Sequence, residues 1–283
     1  MQKDLTEVVF ILDRSGSMGG KERDTIGAFN SLIEKQKKLE GRVLVTTILF
    51  DDQYEVLFER IPLEKVRPIT SREYYVRGCT ALLDAVGLTV DAMRKLHHED
   101  GKYVPAHTLF VINTDGMENA SRVYSFNDVR GLITHEREKH GWDFLFLGAN
   151  MDAIATASQI GIQPSMAACT YADSSGIQAQ YCSVGRAMKA SRMNMCVADS
   201  DWSADIAADA SARTDKKAAK ANAKAQTKVQ AQPQTQANAS SDDDIDDTTE
   251  DSIPAEDEIE QILAKIRTET LHDDSNTDDS TED

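Results

Sequence analysis

Apolar residues in this chain alternate between two patterns. Short unbroken runs are followed by longer stretches in which apolar positions recur every three or four residues. Val8-Val9-Phe10-Ile11-Leu12 is the first run; a short β-branched stretch of this kind reads as a strand buried on both faces. Ile26, Phe29, Leu32, Ile33 and Leu39 then repeat at helical spacing, which predicts a helix over 25–39 with Asp24 as N-cap and Gly41 beyond its end. Residues 42–50 and 54–61 are two β-rich runs separated by Asp51-Asp52-Gln53. Strands joined by three residues must pair antiparallel, as a hairpin. Leu82, Leu83, Val86, Val90, Met93 and Leu96 mark a second helix over 82–98. Further strands are predicted at 107–112, 142–147 and, weakly, 165–171, with helices at 126–140, 151–160 and 174–193. Alternation of this kind implies an α/β fold. It is a doubly wound, mostly parallel six-stranded sheet with one antiparallel edge strand and helices on both faces.

The pattern breaks down near residue 196. Residues 204–239 are rich in Ala, Lys and Gln and carry no large apolar stripe, while 240–258 and 269–283 are rich in Asp, Glu, Ser and Thr. Such composition buries too little surface to offset its ordering entropy. The predicted organisation is therefore one domain over 1–195 and a low-complexity, mostly disordered acidic tail over 196–283. One island in the tail, Ile259, Ile262, Leu263 and Ile266, has helical spacing and predicts a short helix at 255–267. Charge follows the same division. The chain's net charge is −17; residues 196–283 hold 8 Lys/Arg and 23 Asp/Glu, so they carry 8 − 23 = −15, and the body carries 23 − 25 = −2. Neither part has the basic face of a nucleic-acid binder, and the tail repels both nucleic acid and anionic membrane.

The four cysteines, Cys79, Cys169, Cys182 and Cys196, form no CxxC pair and show no zinc spacing. No signal peptide is legible after Met1, and no apolar run approaches the ~20 residues that span a bilayer. A cytoplasmic location is the expectation. His135 and His140 read as surface or satisfied histidines rather than ligands, on the expectation that no cysteine or carboxylate sits at metal spacing with them.

Chemistry concentrates at strand ends. The first strand closes on Asp13-Arg14-Ser15-Gly16-Ser17, a carboxylate and two hydroxyls on one turn. These are hard oxygen donors suited to Mg²⁺ or Mn²⁺ rather than to zinc or copper. In a doubly wound sheet, ligands bind beyond the carboxyl ends of the strands, where strand order reverses. That point falls between the first strand and the strand at 107–112, which runs into Asn113-Thr114-Asp115-Gly116. The loop Gly78-Cys79-Thr80 enters a helix at the same end. Topology thus brings together Asp13, Ser15, Ser17, Thr80 and Asp115. Asp51, Asp52 and Asn150 follow neighbouring strands and either rim this site or simply form turns. Arg14 and Met18 flank the oxygen donors and are placed to touch a partner.

The order DxSxS, then Gly-x-Thr before a helix, then Asp-Gly after a buried strand resembles the von Willebrand factor A domain with its metal-ion-dependent adhesion site. The resemblance spans residues 5–195 and is nearest to the stand-alone, intracellular bacterial type. It implies that Ser15, Ser17 and Thr80 ligate Mg²⁺ (or Mn²⁺) directly, with Asp13 and Asp115 acting directly or through water. It further implies a non-enzymatic module in which an Asp or Glu of a protein partner completes the metal's shell. AAA ATPases of the MoxR kind are partners of that type, and the chain's own acidic tail is a candidate for contact in cis. The alternative is a metal-dependent hydrolase or phosphotransferase on the same sheet. Against it, the sequence has no P-loop, no Asp-x-Asp pair and no histidine placed as a base near the site.

Overall fold

The Val8–Leu12 run is the heart of β1 (Gln2–Asp13), the longest strand, and Val8, Val9, Phe10 and Ile11 are completely buried. The computed structural model describes the backbone of residues 2–100, 104–149 and 153–228, with side chains for 5–99, 104–149 and 153–217. After β1 the chain forms α1 (Glu22–Gln36), β2 (Arg42–Phe50), β3 (Tyr54–Pro62), α2 (Leu82–Asp100), β4 (Pro105–Thr114), α3 (Phe126–His140), β5 (Asp143–Ala149), α4 (Ala153–Gln159), β6 (Ala167–Thr170), α5 (Ser174–Arg192) and α6 (Ala204–Lys228).

The six strands lie in the order β3-β2-β1-β4-β5-β6. All neighbouring pairs are parallel except β2 with β3, which makes β3 the antiparallel edge strand the hairpin required. Helices cover both faces, as a parallel sheet demands. Aromatic stacking of Phe110 on Trp142 and Phe144, at 5.2 and 4.7 Å, fills one side of the core. Phe10 meets Phe29 edge-on at 5.3 Å, and Phe29 meets Tyr181 at 6.4 Å. Strand order reverses between β1 and β4. Their register sets Leu12 opposite Asn113, so Asp13 and Thr114 come level where both strands end.

Three boundaries differ from the sequence expectation. Helix α1 begins at Glu22, with Lys21 rather than Asp24 at its N-cap, because a 3₁₀ turn over Gly16–Met18 leads straight into it. It also stops at Gln36, short of 39. The Arg192 guanidinium, from the end of α5, donates to the carbonyls of Gln36, Leu39, Glu40 and Gly41 and so satisfies the groups a helix end leaves open. The third difference is the largest. Residues 196–217, assigned to the tail, are packed on the body. Val197, Trp202 and Ile206 are buried, the Trp202 indole N–H donates to the Ser165 carbonyl at 3.0 Å, and α6 lies along α5. An alanine-rich helix needs no wide apolar stripe when a few anchors such as Trp202 and Ile206 seat it. The short helix expected at 255–267, the acidic segments 240–258 and 269–283, and Asn150 lie outside the described residues. Among the described residues no helix is long and apolar enough to cross a membrane.

Candidate metal site

All five sequence-selected oxygen donors meet at the carboxyl end of β1 and β4. The Ser15 and Ser17 hydroxyls lie 2.9 Å apart, and the Thr80 hydroxyl donates to Ser15 Oγ at 2.9 Å. Asp13 is buried one step beneath them. Its Oδ1 accepts the Ser15 amide at 2.6 Å, and its Oδ2 accepts the Thr114 hydroxyl at 2.6 Å. Asp115 completes the ring from the β4 side. A methyl group at Gly116 would come within 2.6 Å of Thr80 Oγ1 and 2.9 Å of Ser17 Oγ, which places the Asp115-Gly116 backbone directly against both hydroxyls. Asp13, Ser15 and Thr80 are buried, whereas Ser17 faces solvent.

Backbone ties hold the three loops in register. Gly16 N–H donates to Gly78 O at 3.1 Å, Arg77 N–H to Arg14 O at 3.0 Å, and Ala81 N–H to Asp51 O at 2.9 Å. Gly78 has φ +64°, and any side chain there would collide with Asp52. Asn119 clamps the Thr80 backbone from both sides, accepting its N–H on Oδ1 at 2.9 Å and donating its own N–H to Thr80 O at 3.0 Å. Tyr74 donates its phenolic hydroxyl to Asp13 O at 2.5 Å. Glu118 accepts from Leu83 N at the start of α2 and from Ala120 N, Ser121 N and Ser121 Oγ in its own turn. These groups position the donors and leave the donors' oxygens free to face one another.

The electrostatics call for a cation. Burial pushes the Asp13 carboxyl above its ordinary value; hydrogen bonds from Thr114 and Ser15 pull it back, and neighbouring Asp115 pushes it up again. Asp115 Oδ1 is buried and accepts no hydrogen bond among the described residues. Its Oδ2 instead receives the ammonium of Lys21, which also donates to Ser17 O at 2.6 Å. A positive charge thus already sits between the two loops that bear the donors. An all-oxygen donor set, a buried orphan carboxylate oxygen and a resident ammonium together fit a hard divalent ion.

Arg14 and Met18, expected to face a partner, are both buried. Arg14 pairs with Asp51 at 2.9 Å and with Glu55 at 2.7 Å, and it stacks on Tyr75. Asp51 does not rim the site. Its burial raises the carboxyl, but hydrogen bonds from Arg77 and Gln53 and the charge of Arg14 outweigh this, so it is held below the usual range. It therefore serves as a structural pin between loops. Cys79 is an exposed free thiol beside Thr80. The exposed apolar surface next to the donors comes from Met117, 74% exposed, and Tyr75. Sequence reasoning missed Lys21, Thr114, Met117 and Asn119. Only Lys21, a cation four residues after Ser17, left any signal.

No family model matches the sequence, and no curated protein matches it. Solved structures do resemble it. The PilB minor pilin from Streptococcus sanguinis aligns at 10% identity and TM-score 0.47, over 71% of this chain and 64% of that one. The proximal thread matrix protein 1 from the mussel byssus, with a zinc-occupied MIDAS motif, aligns at 14% identity and TM-score 0.42, over 61% and 42%. The manganese-loaded TRAP protein of Plasmodium vivax aligns at 16% identity and TM-score 0.43, over 59% and 69%. This chain spans less than two thirds of the length of the first two.

Proposed function

We propose that this chain is a non-enzymatic interaction module of von Willebrand factor A type. Asp13, Ser15, Ser17, Thr80 and Asp115 hold Mg²⁺ or Mn²⁺, and the assembly captures an Asp or Glu side chain of a partner protein. The observation that carries this reading is the buried, unpartnered Oδ1 of Asp115 beside the Ser15, Ser17 and Thr80 hydroxyls, with the Lys21 ammonium joining Asp115 Oδ2 to the Ser17 carbonyl. When bound, the ion supplies an open coordination position that a carboxylate oxygen can take. The chain's own groups do the rest. Neutral hydroxyls from Ser15, Ser17 and Thr80 offset less of the ion's charge than carboxylates would. Asp13 is held back by its bonds to Ser15 and Thr114. Tyr75 and Met117 offer apolar surface beside the captured residue.

The non-enzymatic reading rests on where the nearby acids are spent. Asp51 is tied to Arg14 and Arg77, and Glu118 to the start of α2 and its own turn. Neither is placed as a general base. A cytoplasmic setting, a MoxR-type AAA ATPase as partner, and contact of the acidic tail with the site in cis belong to the same proposal.

Calorimetry on the full chain tests it. Wild-type protein binds Mg²⁺ or Mn²⁺ once per chain, and an immobilised Asp/Glu-rich peptide is retained in Mg²⁺ and released by EDTA. Asp13→Ala and Thr80→Ala lose both signals without loss of the circular-dichroism spectrum. Retention of the peptide in EDTA, or no metal uptake by wild type at millimolar concentration, overturns the proposal.

A further inference from the structure

The C-terminal part of α3 holds a second group of metal-ligating side chains, far in kind from the all-oxygen site. His135, Glu136 and His140 each offer one ligand atom, and these atoms lie within 4.8 Å of one another. Glu136 is completely buried, yet neither carboxylate oxygen has a hydrogen-bond partner among the described residues. Instead each oxygen faces one imidazole. His135 Nε2 is 4.0 Å from Oε1, and His140 Nε2 is 3.8 Å from Oε2. A buried carboxylate without hydrogen bonds is costly unless a cation balances it. Two guanidinium groups nearby are engaged elsewhere. Arg94 pairs with Asp91 at 2.7 Å, and Arg137 donates to the Gly161 carbonyl at 2.9 Å.

We infer that His135, Glu136 and His140 form a metal centre of their own, selective for a zinc-class transition-metal ion. Two imidazole nitrogens and one carboxylate oxygen suit Zn²⁺ and its neighbours and suit Mg²⁺ poorly. Atoms that share one tetrahedral zinc lie about 3.3 Å apart, given metal–ligand lengths of about 2.0–2.1 Å. The imidazoles stand 3.8 and 4.0 Å from the carboxylate, so they need move only a little. Both histidine side chains are more than half exposed, which leaves them free to turn, while buried Glu136 stays fixed. The backbone favours a cation as well. The trio spans the last two turns of α3, with His140 in the final turn at the negative end of the dipole, and the chain is locked there by Gly141 in the left-handed region at φ +67°. Glu136 and His140 also line a cavity of about 440 Å³ together with Trp142. Water or a small ligand can reach the ion from that side, the open fourth position of a three-ligand zinc site. The histidines are five residues apart, so this is not the His-Glu-x-x-His arrangement of zinc proteases.

The test uses the full chain in millimolar Mg²⁺, so that the all-oxygen site is occupied. Zn²⁺ is then titrated by calorimetry, and Co²⁺ is followed by its visible absorption. The expected result is one Zn²⁺ per chain and strong four-coordinate Co²⁺ bands, in wild type and in Thr80→Ala alike. His140→Ala, His135→Ala and Glu136→Gln each weaken binding about tenfold or more. The two histidines are half exposed, so their variants keep the fold, and wild-type melting rises with Zn²⁺ while theirs does not. If Thr80→Ala abolishes zinc uptake, the zinc sits in the other site and the inference fails. It fails equally if the histidine ring resonances do not respond to Zn²⁺.

Discussion

Gly116 shows how little room the oxygen site has to spare. A single methyl group there meets Thr80 Oγ1 at 2.6 Å and Ser17 Oγ at 2.9 Å. Gly116→Ala should therefore drive the hydroxyls apart and lower Mg²⁺ affinity by about tenfold or more, with little change in melting temperature; calorimetry beside a thermal melt checks both. Lys21 acts in the other direction. Its ammonium already neutralises Asp115 and competes for the position a divalent ion needs. Lys21→Met is expected to tighten Mg²⁺ binding several-fold, and weaker binding would mean that the lysine holds the Gly16–Met18 turn in place instead. The five oxygen-bearing residues were legible in the sequence because each lies in, or at the start of, a loop between a strand end and a helix, places that a periodic apolar pattern locates well. Glu136 was not legible as a ligand. Its burial comes from the close of α3 against Trp142, a tertiary fact that no spacing rule on one helix reveals.

At the scale of elements, α6 carries the main lesson. Residues 204–239 lack the apolar stripe by which a helix usually declares itself, yet Ala204–Lys228 is helical. Its high alanine content was the better signal, since alanine costs a helix least. The large anchors are few: Ile206 is buried, and Trp202, just before the helix, is 2% exposed. Trp202→Ala should cost about 3 kcal/mol in a denaturant melt, and a chain cut after residue 195 should melt well below one cut after residue 217. The docked helix is also tied by charge. Arg213 donates to both oxygens of Asp173 at 2.6 Å and to Asp209 at 2.7 Å. The Arg213 hydrogen bond, followed by the Gly176 amide, holds the Asp173 carboxyl down at about 2. A carboxyl depressed in the folded state stabilises it above the ordinary Asp value of ~3.9 and stops doing so as pH falls through the folded value. Docking of α6 should thus weaken between about pH 4 and pH 2. The indole N–H resonance of Trp202, bonded to Ser165 O, reports it. The pair is partly exposed, so added salt should shrink the effect.

At the scale of the molecule, sheet order and switch point followed from the sequence, since a hairpin and parallel crossovers leave few other arrangements. What the sequence did not convey was the direction in which the chain leaves the body. Helix α6 runs back along α5. Ile206 N–H approaches Ser183, Asp209 meets Ser175, and Arg213 meets Asp173 just before α5 begins. Ser174 in turn bonds Asp24, in the first turn of α1 and three residues from Lys21. Helix α6 therefore runs toward the end of the sheet that carries the candidate donors. Asp242, Asp243 and Asp244 follow Lys228 by 14 to 16 residues, and residues 240–283 hold 2 Lys/Arg against 18 Asp/Glu, or 2 − 18 = −16 of the total charge of −17. Carboxylates tethered this close reach an effective concentration on the order of millimolar. On the proposed function, the site's own chain would supply it with carboxylates, and a partner would have to displace them. Removal of residues 229–283 should tighten Mg²⁺-dependent binding of an acidic peptide about threefold or more, and the excised segment added in trans should weaken it again. Raised ionic strength should narrow the difference, because the tail's charges are screened over about 8–10 Å. Equal affinities for the full and shortened chains, at low salt and in saturating Mg²⁺, would show that the tail does not compete for the site.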